Sequence, residues 1–387
     1  MLKQDIRSMP VRSGPQRVLL LHNHDNTWTP ADLVEVEEEN QRVIAALRGR
    51  GYEVADVKVY DSVTKAVQAA GFKARDWLVF NWCEGYADRP WDYAGVTEEL
   101  EDLQFAYTGC GPWTLRVSQD KHLTRKLAAE CGVPLPLGMV ARRPTGLRWE
   151  NYPAIVKPIN QHGSYGIDEA AIVDNDRELR QRVEYVLDTF DSPALIEEFI
   201  DGDEYQVTVW GNGLAEVLPA VQLAFGGQQI PREQIFTSAL KFDEDAVIQH
   251  RLRFLCPSMM TDIARRRIRL ACLQAYRALH CRDYARLDIR LRGDQPYVID
   301  VNPNPDINSE SIVTMAAQAA GLDYEAMIAQ IVDFAAERWV RGALPIRTGS
   351  SHGLVGTPWP RSRRTIELLE QRIKQDVQHH SSIDGGS

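Results

Sequence analysis

The sequence predicts an α/β protein, α+β in parts, that opens on a doubly wound parallel sheet. Three observations carry this. Apolar runs of strand length alternate with helical segments through residues 15–115, which is the pattern of successive βαβ units. Those runs are continuously apolar, as expected of strands covered on both faces. From residue 284 onward the runs alternate instead and flank a Gly- and Pro-containing connection, the pattern of a β-hairpin.

In chain order, residues 1–15 read as a loose leader. RVLLLH (17–22) is predicted as a buried strand, 37–50 as an amphipathic helix stopped at Gly51, and YEVADVKV (52–59) as a strand. A short helix over 62–70 precedes strand WLVFN (77–81), and FAYTG (105–109) is a last short strand. SQDKHLTRKLAAECG (118–132) is predicted as a helix capped by Ser118 and ended by Gly132. In YPAIVKPINQHGSYGID (152–168) a strand ends on Lys157 and a glycine loop follows. Next come a helix over about 176–188, strands ALIEEFI (194–200) and EYQVTVWGN (204–212), and a loop over 225–240 suited to be a lid. A helix over 265–280 leads into the hairpin. Beyond about residue 341 the chain turns linker-like, with an amphipathic helix TIELLEQRIKQDVQ (365–378) and a polar tail.

A chain of 387 residues is too long for one ordinary core, so two or three domains are expected. Charged residues at 25% and apolar ones at 44% fit a globular protein in water. A net charge of −10 argues against nucleic-acid binding, which needs surplus Lys and Arg. Cys83, Cys110, Cys131, Cys256, Cys272 and Cys281 show no zinc or CxxC spacing, so reduced, mostly buried thiols are expected. No stretch reaches the about 20 apolar residues of a membrane span, and no secretory h-region opens the chain. A cytoplasmic enzyme is the simplest expectation.

The hairpin YARLDIRLRGDQPYVIDVNPNPDINSES (284–311) carries the chemistry. With period two, Leu287, Ile289 and Leu291 share one face and Arg286, Asp288 and Arg290 the other. On the second strand, Tyr297, Ile299 and Val301 oppose Val298, Asp300 and Asn302. Two aspartates, an amide and an arginine therefore share one wall. Hard divalent cations prefer such oxygen ligands, and a cation so held also grips phosphates. A solvated charged face explains the same pattern. Against it stands the stiff loop from Pro303 through Asp306 to Asn308, which leads into a helix capped by Ser309 or Ser311. A helix N-terminus beside a metal site suits an anionic substrate.

Upstream, Lys157 with Gly163 and Gly166 offers a point charge and close backbone approach to phosphate, although no Walker A pattern is present. Glu197, Glu198 and Glu204 surround a turn at Gly202. They could accept from an adenine amino group or ribose hydroxyls, or simply end a charged hairpin.

Taken together, strand-Lys with a Gly loop, then EEF…GDE, then RLD…IDVNPNP resembles the ATP-grasp superfamily, and more narrowly the D-alanine–D-alanine ligases. The resemblance runs from about Phe80 to Gly321. It is strongest at YTGC (107–110), DKHLTRKLAAECGVPLP (120–136), YPAIVKPI (152–159), LIEEFIDGDEYQVTVWGN (195–212) and ARLDIRL…VIDVNPNPDIN. It implies an ATP-grasp fold: a loose leader at 1–15, an N-terminal domain at 16–117, two subdomains clasping ATP at 118–203 and 204–341, and a linker, helix and tail at 342–387. It implies that Lys121 and Lys157 contact nucleotide phosphates under a loop carrying Gly163, Ser164 and Gly166. Glu197 and the backbone near Ile200 match the adenine-binding strand, and Glu204 matches the ribose-binding carboxylate. Asp288, Asp300 and Asn302 match the ligands of Mg²⁺, with Mn²⁺ as the alternative ion. Arg286 matches the arginine that stabilises the tetrahedral intermediate, Lys241 a lysine on the transferring phosphoryl group or the substrate carboxylate, and Ser311 a serine on the substrate carboxylate.

The implied reaction is ATP-dependent ligation of a carboxylate and an amine through an acyl phosphate, releasing ADP and phosphate. Its substrates are small amino acids or amines, and family dimers make a homodimer the implied assembly. The alternatives are D-alanine–D-alanine ligase proper, another acceptor such as a thiol, and a nucleotide-binding module without catalysis. Three departures bear on substrate. LHNHDNTWTPAD (21–32) lacks the family's glycine pair and glutamate, for which Asp32 or Glu35 could substitute. NWCEGYADRPWD (81–92) replaces the HG…GEDG stretch, and Asp306 stands where the oxyanion loop has glycine. His22, His24 and Trp28 are candidates to line the acceptor pocket.

Overall fold

Strand β1 (Arg17–Asn23) pairs in parallel with β2 (Glu53–Val59) and β3 (Leu78–Trp82), and β4 (Ala106–Tyr107) extends the sheet in the order β2-β1-β3-β4. The computed structural model describes residues 16–25, 28–160, 166–226 and 252–343. The chain divides after Gly342, and the unit that follows lies, beyond Ala343, outside the described residues.

The continuous apolar strands are covered on both sides, as their composition demands. Val18 and Leu20 pack with Val43, Ile44 and Leu47 of α1 (Pro30–Gly49), while Leu19 and Leu21 pack with α2 (Val63–Ala69) and α3 (Tyr93–Asp102). Helix α1 begins seven residues before the predicted start. Thr29 and Asp32 form a capping box, with Asp32 N to Thr29 Oγ1 at 3.2 Å and Thr29 N to Asp32 Oδ2 at 2.9 Å, and Pro30 occupies the first turn. The acidic run at residues 35–39 hid this turn, because it dilutes the apolar periodicity.

A short helix α4 (Pro112–Ser118) was not expected, and it corrects the predicted cap of the next one. Ser118 ends α4, its Oγ donating to Leu115 O at 2.8 Å. Asp120 caps α5 (Lys121–Glu130), accepting from Leu123 N at 3.0 Å. Both residue types cap helices, and the break between them decides which one does.

A second sheet has the order β5-β8-β6-β7, from Gly138–Ala141, Ala194–Glu198, Ala154–Pro158 and Ile172–Val173. Helix α6 (Asp176–Phe190) backs it through Leu179, Val183 and Val186. A third, antiparallel sheet runs β12-β11-β9-β13-β14, with β10 (Glu216–Val217) on β9. Its strands are Arg253–Leu255, Val221–Ala224, Glu204–Trp210, Tyr284–Arg292 and Gln295–Asn302. Helix α7 (Asp262–Ala278) covers one face, placing Ile268, Ala271, Cys272 and Ala275 against Val207, Leu287 and Ile289.

Glu198 and Glu204 therefore belong to different sheets, and the predicted hairpin turn at Gly202 is a crossing between them. A Cβ on Gly202 would stand 1.4 Å from Leu291 O, so only glycine lets the crossing lie against β13. The first sheet is tied to the hairpin by Asp283, which accepts from Gly109 N at 2.8 Å, Asn212 Nδ2 at 2.9 Å and Arg338 Nε at 2.9 Å. Helices α8 (Ile312–Ala319) and α9 (Tyr324–Ala343) close this side. Among the described residues no helix is long and apolar enough to cross a membrane.

Candidate active site

The face of β9, β13 and β14 opposite α7 is polar and continuous. Register sets its rows: Thr208, Arg286 and Asn302 lie side by side; Gln206, Asp288 and Asp300 form the next row; Glu204 stands opposite Arg290. The hairpin turns through Gly293 and Asp294, with Gly293 at φ +60°, as a two-residue connection requires.

One expected position is corrected. The pairing shifts between Asp288 and Ile289, so Asp288 faces Asp300 while Ile289 faces Val298, leaving Ile299 as an extra residue. Strict alternation put Val298 on the acid face. The bulge returns it to the core with Leu287, Ile289 and Val301, and it lets Asp300 still point at Asp288's row.

Arg286 grips Asp288 at two points, Nε to Oδ1 at 2.8 Å and a terminal nitrogen to Oδ2 at 3.2 Å. Burial opposes the guanidinium charge, but Asp288, Asp300 and Asp306 outweigh it and raise the Arg286 pKa above its ordinary value. Asp300 Oδ1 accepts from Val301 N at 3.0 Å. Two carboxylates and the Asn302 amide are hard oxygen donors, a set that fits Mg²⁺ and leaves coordination positions for phosphate oxygens. Among the described residues no group of three or more His, Cys, Asp or Glu is placed to hold a metal ion.

On the central sheet, Lys157 Nζ lies 2.5 Å from Glu197 Oε2, and Arg125 binds the other carboxylate oxygen. Glu197 is only 1% exposed, so both its oxygens are engaged by cations. Arg125 also donates to Pro136 O at 2.6 Å. Ile200 is buried nearby in the chain, and Glu204 lies 4.0 Å from Arg290, whose Nε and a terminal nitrogen donate to Gly202 O at 3.2 and 3.0 Å. Burial lowers the Arg290 pKa, and Glu204 opposes that shift. Lys121 is the first residue of α5, its N–H meeting Ile159 O at 3.4 Å, which ties it to the end of the Lys157 strand. Gly166 has φ +77° and its carbonyl accepts from Arg182 at 2.7 Å. Gly163, Ser164, Lys241 and the lid after Gly226 lie outside the described residues.

Ser311 caps α8, accepting from Thr314 N at 3.2 Å, so its hydroxyl serves the helix in this structure. Asp306 lies in the segment between β14 and α8 and accepts from Asn308 N at 2.9 Å. Limited hydration there raises its pKa; Asn308 and Ile307 N–H groups and Arg286 pull it down, and Glu39 pushes it up. Asp32 is held in its capping box and Glu35 is exposed. His22 and His24 line a pocket of about 380 Å³ with Asn40, Glu37 and Lys58. Neither Trp28 nor any hairpin residue lines that pocket.

Two residues of the site escaped the sequence reading. Arg125 sits four residues after Lys121 on the same helix face, a spacing that could have marked it. Glu84 lies in the segment replacing HG…GEDG; burial lifts its pKa to about 7, with Asp306 adding to the rise and a hydrogen bond from Tyr93 opposing it. The Glu84 and Asp306 carboxylates thus influence each other.

The family model of the D-ala D-ala ligase C-terminus matches residues 145–333. A D-alanine–D-alanine ligase of Alcanivorax borkumensis is 32% identical over 240 residues, covering 62% of this chain and 72% of that protein. An uncharacterised protein of Sinorhizobium fredii, y4sG, is 30% identical over 303 residues, covering 77% of this chain and 87% of the other. The crystal structure of D-alanine–D-alanine ligase from Bacillus anthracis complexed with ATP aligns with a TM-score of 0.63 at 20% identity, over 84% of this chain and 99% of that one, a likeness of fold. The chain belongs to the D-alanine–D-alanine ligase family and is an ADP-forming ligase with the ATP-grasp fold.

Proposed function

We propose that the enzyme joins the carboxylate of one amino-acid-type substrate to the amine of another through an acyl phosphate, using ATP and Mg²⁺. The observation that supports this best is the polar wall: Arg286, Asp288, Asp300 and Asn302 in two adjacent rows, with Glu204 further along β9. Asp288, Asp300 and Asn302 would hold Mg²⁺, and the ion would neutralise charge on phosphoryl oxygens. Lys121, Lys157 and Lys241 would bind phosphate oxygens under the loop that carries Gly163, Ser164 and Gly166. In this reading Glu197 holds Lys157 in place beside the adenine strand near Ile200, and Glu204 accepts from the ribose hydroxyls. Arg286 stabilises the oxyanion formed when the amine attacks the activated carbonyl, and Ser311 contributes at the substrate carboxylate. No side-chain nucleophile is required.

The N-terminal domain at 16–117, the subdomains at 118–203 and 204–341, a cytoplasmic location and a homodimer belong to the same reading. Substrates other than D-alanine are favoured by Asp306 and Glu84, since these added carboxylates disfavour a nearby substrate carboxylate unless the substrate brings positive charge beyond its own amino group. D-alanine–D-alanine ligase proper is the second reading, supported by the relatives.

The test is incubation with ATP, Mg²⁺ and separate pools of L- and D-amino acids, following nucleotide, phosphate and product mass. ADP, phosphate and an amide are expected. AMP with pyrophosphate would exclude the acyl phosphate, and product from D-alanine alone would establish the second reading.

A further inference from the structure

The polar wall holds two side chains that the reaction above does not use. Gln206 and Thr208 alternate along β9 with Tyr205, Val207 and Val209, which enter the core under α7. Gln206 is 1% exposed and Thr208 fully buried. Among the described residues, neither the Gln206 amide nitrogen nor the Thr208 hydroxyl has a hydrogen-bond partner. Leaving a buried donor unpaired is costly, and a hydrophobe of similar size would fill the same space without that cost. Packing alone therefore does not explain a glutamine here.

Register gives the reason. Gln206 stands directly opposite Asp288, and both Asp288 oxygens are occupied by Arg286, at 2.8 and 3.2 Å. Gln206 thus stands across the strand from an acceptor that is turned to another partner. Gln206 is too deeply buried to meet a ligand itself, but it needs no solvent-facing surface to reach the neighbouring strand. We propose that Gln206 is the positioning residue of the metal site: when Asp288 turns to a divalent cation, one carboxylate oxygen goes to the ion and the other accepts from Gln206 Nε2. Arg286 is thereby released from its two-point grip and becomes available to the substrate oxyanion. Carboxylate ligands are commonly fixed by such a supporting donor, and losing one costs about 10–100-fold in metal affinity. The inference rests on the assignment of Asp288 as a metal ligand.

The experiment compares the full-length enzyme with Gln206→Met by calorimetric titration of ADP, with and without Mg²⁺, and by thermal unfolding of the ligand-free proteins. Wild type is expected to bind ADP more tightly as Mg²⁺ is added; no Mg²⁺ dependence in wild type would instead refute the metal site itself. In Gln206→Met, ADP affinity without Mg²⁺ is unchanged, half-saturating Mg²⁺ rises about tenfold or more, and the ligand-free protein melts no lower than wild type. Thr208→Val, one pair along and opposite Arg286, leaves half-saturating Mg²⁺ unchanged. An unaltered Mg²⁺ requirement in Gln206→Met, an equal rise in both variants, or a lower melting temperature for ligand-free Gln206→Met would overturn the proposal.

Discussion

Replacing Glu197 by alanine is the sharpest test of how the central sheet holds its lysine. The carboxylate is 1% exposed and lies between Lys157, at 2.5 Å, and Arg125. Lys157 is itself buried, with a side chain 8% exposed, so removing Glu197 strands a poorly hydrated cation. Breaking a buried pair in this way costs about 3–5 kcal/mol. At about 2 °C per kcal/mol for a chain of this size, the melting temperature should fall by about 6–10 °C. Lys157→Met placed on top of Glu197→Ala should recover part of that loss, because it removes the stranded charge. Urea unfolding and thermal melts of the ligand-free proteins give both numbers. A loss under about 1 kcal/mol, the level of a solvent-exposed pair, would refute the reasoning.

Three further outcomes follow from the same structure. Glu84 has its pKa raised from 4.5 to about 7, mainly by burial and then by Asp306, so its contribution to stability is intact below pH 4.5 and lost as pH rises through 7. At 1.36 kcal/mol per unit this is about 3 kcal/mol. Glu84→Gln should therefore gain on wild type between pH 5 and 8 in urea unfolding, and parallel pH curves would contradict the assignment. Gly202→Ala places a methyl 1.4 Å from Leu291 O and should destabilise by about 3 kcal/mol or more, the top of the overpacking range; a melt within 1 °C of wild type would contradict this close approach. Asp300→Ala should abolish turnover while leaving the fold's circular dichroism intact. An active variant would remove Asp300 from the metal site.

The parts of this protein that were legible in its sequence are those where one local rule operates. Continuous apolar runs such as RVLLLH announce strands covered twice, and Val18 to Leu21 are indeed buried on both sides. Of the two serines offered as the cap of the helix after the hairpin, Ser311 is the one that caps it. The hairpin's alternation placed Arg286, Asp288, Asp300 and Asn302 on one face. Alternation fails at Ile299, because one inserted residue reverses every assignment beyond it and leaves no compositional trace. The choice between Ser118 and Asp120 as a cap depended on where α4 ended, which tertiary packing decides. The Arg125–Glu197 contact joins residues 72 apart, and no local pattern predicts it. Nor does composition show that β8 and β9, five residues apart, enter different sheets.

In the proposed reaction a carboxylate is activated by phosphoryl transfer on the wall formed by β9, β13 and β14. That activation is tested most directly by enriching the carboxylate of the accepted substrate with ¹⁸O and running a turnover with ATP and Mg²⁺. An acyl phosphate whose carbonyl is attacked by the amine leaves one of those oxygens on phosphate, so the released phosphate should carry one ¹⁸O atom while nucleotide appears as ADP. Phosphate without label, or label recovered in AMP, would contradict an acyl-phosphate intermediate.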